Sequence, residues 1–227
     1  MGTIAKVKAI ELVFDWNLWP RHAVQRLDST NIASMKEALK AGFTLPPPVV
    51  SKSDMRIVDG FHRVRSYLSL YGDDADIEVE LREYKDDCAM FLEAGALNAT
   101  QGLKLSPQDR AHFIIKCRKM KIPPKAIAVA LHMDPERMQD FVSTRTAKTA
   151  DGENIALPGG ARALAGKVLT PVQEHYVKTT NGVIPEMYTQ MLINALRADS
   201  MVLTERSTAK LIELRDLIND VLEGAAS

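Results

Sequence analysis

The sequence predicts an α+β fold: a small mixed N-terminal domain, then a helix-turn-helix and a helical C-terminal region. Three observations support this prediction. Residues 5–16 and 76–84 alternate apolar and polar side chains, as half-buried strands do. Between them, "LPPPVVSK" and "MRIVDG" are short apolar runs beside proline and glycine, typical of short strands. From Asp86 onward the pattern is helical almost throughout.

The elements of the first part follow one another closely. After the strand predicted over residues 5–16, "DSTNIASMKEALKAGF" predicts a helix that Asp28 or Ser29 caps and Gly42 closes. The two short strands come next. Phe61 to Tyr71 then predicts a second helix, closed by Gly72, before the last strand.

Composition excludes several classes of protein. Any binding to nucleic acid must come from local charge rather than from the total charge. The 227 residues have a formal net charge of zero, so the total names no partner. Residues 73–93 nevertheless carry −7 and residues 110–148 carry +6. The two cysteines and scattered histidines predict neither a disulfide framework nor a metal site. Without a signal pattern or a long apolar run, we expect a cytoplasmic protein that does not enter a membrane.

Changes in pattern suggest three regions. Residues 1–90 form the predicted mixed domain, residues 91–150 a helical domain in the basic block, and residues 151–227 a helical tail. The tail stretch "STAKLIELRDLINDVLEG" has a wide apolar face, which predicts burial against either the rest of the chain or a second subunit.

The stretch "IVDGFHRVR" places glycine, histidine and arginine where a strand becomes a helix. The first amides of a helix have no internal partners and lie at the positive end of its dipole. Gly60 lets an anion approach the backbone, while His62, Arg63 and, one turn later, Arg65 supply hydrogen-bond donors. This arrangement predicts a site for a phosphate group.

The basic block contains a predicted helix-turn-helix. One helix runs from Pro123 to Leu131, and a second from Pro135 to Arg145, with Asp134 as its N-cap. A helical hairpin without a ligand would show the same pattern. If the unit binds DNA, the second helix lies in the major groove, and its base-edge candidates are Arg137, Gln139 and Ser143. The phosphate candidates are Lys116, Arg118, Lys119, Lys121, Lys125, Thr144 and Arg145.

Three blocks of the chain resemble the ParB/sulfiredoxin-like family. They are "WPRHAVQRLDSTNIASMKEALKAGFTLPPPVV", "MRIVDGFHRVRSYLSLYG" and "ALNATQGLKLSPQDRA", in the order in which ParB proteins carry them. The resemblance implies a ParB/sulfiredoxin-like N-terminal domain that binds CTP or another nucleotide with Mg²⁺. Carried over by position, the binding residues are Arg21, Gly60, His62, Arg63 and Asn98. The usual acid is replaced by Phe61 here, so the resemblance implies a degenerate site.

Three hypotheses follow. The first is a ParB-like DNA-binding protein of plasmid or phage setting, with a degenerate nucleotide or phosphate site; paired half-sites would then favour a homodimer. The second is an enzyme of the same fold: a nucleotide-dependent phosphotransferase or hydrolase, such as a weak CTPase, ATPase or nuclease, with unassigned catalytic residues. The third is an adaptor in which both motifs are structural.

Overall fold

The computed structural model describes residues 2–22, 27–100, 104–179, 185–197 and 204–225. The chain divides into two compact units, residues 1–182 and 183–227. The first unit contains the described strands together with helices, and the second contains helices. The predicted α+β class is confirmed.

A four-stranded sheet lies at the start of the first unit. Its strands are β1 (Thr3–Lys8), β2 (Val49–Ser51), β3 (Ile57–Asp59) and β4 (Asp76–Arg82), arranged in the order β1-β4-β2-β3. β4 is antiparallel to β1 and parallel to β2, which is antiparallel to β3. The first strand is shorter than predicted, because a 3-10 turn begins at Ala9, where the Lys8 N–H donates to Glu11.

Two helices of this region have the predicted ends. α1 (Ser29–Lys40) is capped by Asp28, whose carboxylate accepts from the N–H groups of Thr30 and Asn31. α2 (Phe61–Tyr71) begins after Gly60, which has a left-handed backbone, and ends at Gly72.

Four helices follow, and they share a core with the sheet. They are α3 (Asp87–Thr100), α4 (Pro107–Lys119), α5 (Pro124–Ala130) and α6 (Pro135–Ser143). The predicted caps Ser106 and Asp134 accept hydrogen bonds at the starts of α4 and α6. One apolar cluster joins Val49 and Val58 of the sheet to residues of all four helices. The sheet edge and the helices therefore hold each other in place.

A β-hairpin follows α6, an element that the sequence pattern did not predict. β5 (Thr146–Lys148) pairs antiparallel with β6 (Asn154–Ala156), and Ala156 packs against Ala111 and Ile115 of α4. After a 3-10 turn, α7 (Pro171–Thr179) packs on the hairpin through Val177.

The second unit consists of α8 (Pro185–Arg197) and α9 (Glu205–Ala225), in agreement with the helical pattern of the tail. Among the described helices, none combines the length and apolarity needed to cross a membrane.

Candidate functional site

A cleft of about 240 Å³ opens at the start of α2. Five of the residues that sequence reasoning assigned to phosphate binding line it: Arg21, Gly60, His62, Arg63 and Asn98. They come from the loop before α1, the β3–α2 turn and α3, so the fold brings the three sequence blocks to one place. Arg65 lies outside the lining and is exposed.

Asp59 is a carboxylate in the lining of the cleft. Its Oδ2 accepts from Nη2 of Arg63 at 2.5 Å, and its Oδ1 accepts from Nδ2 of Asn98 at 3.1 Å. Nη1 of Arg63 also donates to the carbonyls of Pro46 and Pro47. Arg63 therefore already has acceptors on both sides of its guanidinium, and an incoming anion must compete with Asp59.

Arg21 continues the same network toward α4. Its Nη2 donates to Oδ1 of Asn98 at 3.1 Å, and its Nη1 lies 3.6 Å from Oδ2 of Asp109. Burial lowers the pKa of Arg21, whereas the carboxylates of Asp109 and Asp59 oppose that shift. The guanidinium is thus a half-buried cation held between two acids.

His62 does not act as a cation here. Its Nε2 accepts from the Asp28 N–H at 2.9 Å, which requires this nitrogen to be unprotonated. Burial lowers the pKa of His62, and Arg21 lowers it further. The imidazole therefore ties α2 to the start of α1 as a neutral group.

Trp19 contributes a further donor to the cleft. It lines the cleft, and its buried indole N–H has no hydrogen-bond partner in the part of the chain that the structure describes. A buried unpaired donor is costly, and a ligand oxygen would relieve that cost. Gly60 has no side chain to cap the first turn of α2, so those backbone N–H groups add donors at the same end.

Two side-chain oxygen donors in the cleft are of the kind that Mg²⁺ prefers, the carboxylate of Asp59 and the amide oxygen of Asn98. Both already accept hydrogen bonds. Across the described residues, no group of three or more His, Cys, Asp or Glu lies close enough to hold a metal ion by itself.

The predicted DNA-binding residues fall into two groups. The segment 118–125 contains four cations and no acid. Within it, Lys121 and Lys125 are exposed and form no ion pair with any described residue, whereas Lys119 pairs with Glu153 at 3.0 Å. Nη2 of Arg118 donates to Oε1 of Gln139 at 2.9 Å, which links the segment to α6.

The remaining candidates have other contacts. Lys116 is half-buried, with its Nζ 2.6 Å from the Asn17 carbonyl oxygen. Ser143 and Thr144 hydroxyls donate to carbonyls of α6. Arg145 packs over the Phe141 ring at 4.2 Å, and Arg137 is exposed on α6.

Comparison with known proteins finds similarity only to solved structures. No family model matches the chain, and no curated protein matches it. Among solved structures, it is similar to a pNOB8-like ParB N-domain, with 11% identity and a TM-score of 0.44, and aligned over 69% of this chain but 57% of that one. It is also similar to the C-terminally truncated chromosome-partitioning protein ParB from Caulobacter crescentus complexed to the centromeric parS site, with 14% identity, a TM-score of 0.46 and coverage of 91% and 97%.

A second structure of the Caulobacter protein, complexed with CTP-gamma-S, is similar at 17% identity and a TM-score of 0.36, over 63% of this chain and 78% of that one. These similar structures are of ParB proteins. ParB proteins are also the family that the three sequence blocks resemble. Residues 23–26 of the first block and 101–103 of the third lie outside the described residues.

Sequence reasoning missed Asp59 and Asp109, the two acids that form ion pairs with Arg63 and Arg21. Asp59 was not among the predicted binding residues, although its place directly before Gly60 was a signal that it faces the same site as Arg63. Asp109 gave no such signal. It belongs to the capping box of α4, and its approach to Arg21 is set by the tertiary fold.

Proposed function

We propose that this chain is a DNA-binding protein whose N-terminal cleft accepts an anionic group, such as a phosphate of a nucleotide. The observation that carries DNA binding is the exposed basic segment 118–125, joined by the Arg118–Gln139 hydrogen bond to α6. Lysines on such a segment contact phosphate, and the side chains of α6 read bases.

The distribution of charge assigns DNA affinity and base specificity to different elements. α6 carries Arg137 with Glu136 and Asp140, so this helix alone has no cationic excess. Affinity therefore comes from the neighbouring segment, through Lys121 and Lys125. Specificity falls to Arg137 and Gln139, since an arginine and an amide are suited to the edges of guanine and adenine.

The first experiment measures DNA binding by fluorescence anisotropy over a range of salt concentrations. Lys121→Gln with Lys125→Gln should weaken binding to all sequences and reduce the slope of log K against log salt by about 2, since each phosphate contact contributes about 0.9. The control removes two exposed lysines elsewhere, Lys52 and Lys85, and should leave the slope unchanged. An unchanged slope in the first double variant would contradict the proposal.

Base reading is tested with DNA selected from a random pool. Arg137→Ala with Gln139→Ala should bind selected and random DNA almost equally, while the salt slope stays near that of the unmodified chain. A double variant that still prefers the selected sequence would show that other residues read the bases.

The cleft is tested by calorimetry with tripolyphosphate, CTP and ATP, each with and without Mg²⁺. Arg63→Gln should weaken binding about tenfold or more, since a charge-assisted hydrogen bond contributes about 1.5–3 kcal/mol. Arg65→Gln is the matched control and should bind within about twofold of the unmodified chain. If no polyphosphate binds, the cleft is a structural network.

The same samples are assayed for phosphate release. We expect binding without turnover, because the Asp59 oxygens and Nε2 of His62 already hold hydrogen bonds and leave no free base among the described lining residues. Turnover that is lost in Arg63→Gln would instead favour the phosphotransferase or hydrolase hypothesis.

A further inference from the structure

A second cavity, of about 370 Å³, lies between α4, the β5–β6 hairpin and α7. It shares no lining residue with the cleft at the start of α2. Part of its wall comes from the hairpin, which sequence reasoning did not predict. His22, which directly follows Arg21 in the sequence, also lines this cavity.

The charge on the lining of this cavity is positive. Lys116, Lys119 and Lys178 contribute to the lining, and Glu153 is the one carboxylate among the described residues there. Lys119 pairs with Glu153 at 3.0 Å, and Lys178 pairs at 2.5 Å with Glu174, which lies outside the lining. Lys116 has a neutral partner, the carbonyl oxygen of Asn17. The lining thus has an excess of cations over acids, which favours an anion.

Two imidazoles stand beside these lysines. The rings of His22 and His112 meet edge to face, with centroids 5.5 Å apart. Burial, followed by the nearby His22 and Lys116, lowers the pKa of His112 to about 4. A neutral imidazole offers an N–H donor at no charge, and a bound anion would offset the repulsion from the lysines.

The opposite part of the lining is apolar and includes Ile115, Ile155 and Ala156. A volume of this order, with an apolar wall and a few convergent polar groups, is typical of small-molecule sites. Lysine binds phosphate as a point charge, and three lysines suit a dianionic group.

We propose that this cavity binds a phosphate monoester with an apolar body, of the nucleoside monophosphate class. The phosphate lies among Lys116, Lys119 and Lys178, and the apolar body lies against Ile115 and Ile155. The site is separate from the cleft at the start of α2. It shares Lys119 with the segment 118–125, so the variants that test it, Lys178→Gln and Glu153→Gln, lie outside that segment.

The test is calorimetry on the full chain at low salt with a nucleoside 5′-monophosphate, using inorganic phosphate and the uncharged nucleoside for comparison. We expect saturable binding of the monophosphate, tighter than that of either part. Lys178→Gln should weaken it about tenfold, whereas Glu153→Gln should tighten it severalfold by releasing Lys119. Both side chains are more than half exposed, so neither change threatens the fold.

Lys85→Gln is the control, since Lys85 is exposed and lies outside both cavities; binding should stay within about twofold. All titrations are repeated in an Arg63→Gln background, which weakens any binding in the other cleft and should retain the binding assigned to this cavity. The proposal is overturned by the absence of saturable binding, by equal losses in Lys178→Gln and Lys85→Gln, or by loss of binding in the Arg63→Gln background. Tightening in Glu153→Gln is a result that general damage to the protein cannot produce.

Discussion

At the scale of single residues, Gly60 shows how the strand-to-helix turn is constrained. Its φ of +100° lies in the left-handed region, and a Cβ there would lie 2.8 Å from Cβ of Pro48 and 3.0 Å from Nε of Arg63. The glycine thus allows Pro48 and Arg63 to approach the turn. Sequence reasoning explained Gly60 by the approach of an anion, whereas the structure shows a second reason for a glycine, the contact with Pro48, twelve residues earlier in the chain.

Gly60→Ala should therefore lower the free energy of unfolding by more than the strain of a positive φ alone. Gly42 also has a positive φ, of +84°, but nothing lies within 4 Å of where its Cβ would be. We expect Gly42→Ala to lower the free energy of unfolding by about 1 kcal/mol and Gly60→Ala by about 2–3 kcal/mol, the difference being the contact with Pro48. Urea denaturation of the two variants measures this difference, and equal losses would contradict it.

The low pKa of His112 predicts how the stability of the fold depends on pH. Its pKa in the folded chain, about 4, is lower than the ordinary value of 6.5, so protons bind the unfolded chain more strongly. The stabilising effect of the neutral ring is complete above pH 6.5 and is lost as the pH falls toward 4. The charged or titratable groups that act on the ring are His22, Lys116, Asp109 and Lys119.

His112→Gln removes this titration. Between pH 7.5 and pH 5 the unmodified chain should lose about 2 kcal/mol more unfolding free energy than the variant. Denaturant unfolding at both pH values measures the difference, with the exposed His175→Gln as the control, which should follow the unmodified chain. Parallel pH profiles for the unmodified chain and His112→Gln would refute the prediction.

At the scale of elements, local signals explain which parts of the fold could be predicted. α1, α4 and α6 have capping side chains within their own first turn, and α2 lies between two glycines, so their ends follow from neighbouring residues. The hairpin did carry a signal, Asp151-Gly152 between two three-residue strands, but strands this short give little alternation to detect. The ion pair of Arg21 with Asp109 depends on residues brought together by the tertiary fold, and no local pattern specifies it, whereas Asp59 and Arg63 are only four residues apart.

The approach of α3 and α4 is another such tertiary feature. Gly95 lies on α3, and a Cβ there would be 2.1 Å from the Phe113 ring of α4, which stacks on Phe91 with centroids 4.8 Å apart. Alanine has the higher helix propensity, by about 1 kcal/mol, so local reasoning favours Gly95→Ala. The overlap with a fully buried ring should reverse that gain.

We therefore expect Gly95→Ala to lower the free energy of unfolding by about 1–3 kcal/mol. Phe113→Leu supplies the second arm of a double-mutant cycle, because a smaller side chain leaves room for the added methyl group. The double variant should be more stable than the sum of the two single losses predicts. Additive losses would mean that Gly95 does not act through Phe113.

At the scale of the whole molecule, the acidic and the basic block of the sequence differ in how far ion pairs neutralise them. Much of the acidic block is neutralised within the fold: Arg56 pairs with Asp87, Arg82 with Glu80 and Glu93, and Lys8 with Asp76. The basic segment 118–125 keeps Lys121 and Lys125 free of ion pairs with described residues. A neutral total charge is therefore compatible with a locally positive surface.

The shared core also bears on the predicted boundary near residue 90, which stays a prediction. Val58 of β3 is fully buried in the cluster that includes α3, α4 and α5, whereas Val64 of α2 is equally buried in a cluster of the sheet and its own helix. The same change, valine to alanine, at these two sites therefore distinguishes a common folding unit from two separate ones. Each should cost about 2 kcal/mol of local stability.

Native-state hydrogen exchange measures where that stability is lost. If the sheet and the helices open together, Val58→Ala should speed exchange in α4 and α5 about thirtyfold, as well as in β2 and β3. Val64→Ala should speed exchange in the sheet and α2, with a smaller effect on α5, since its cluster contains no residue of that helix. Unchanged exchange in α4 and α5 of Val58→Ala would instead support an independent domain that ends near residue 90.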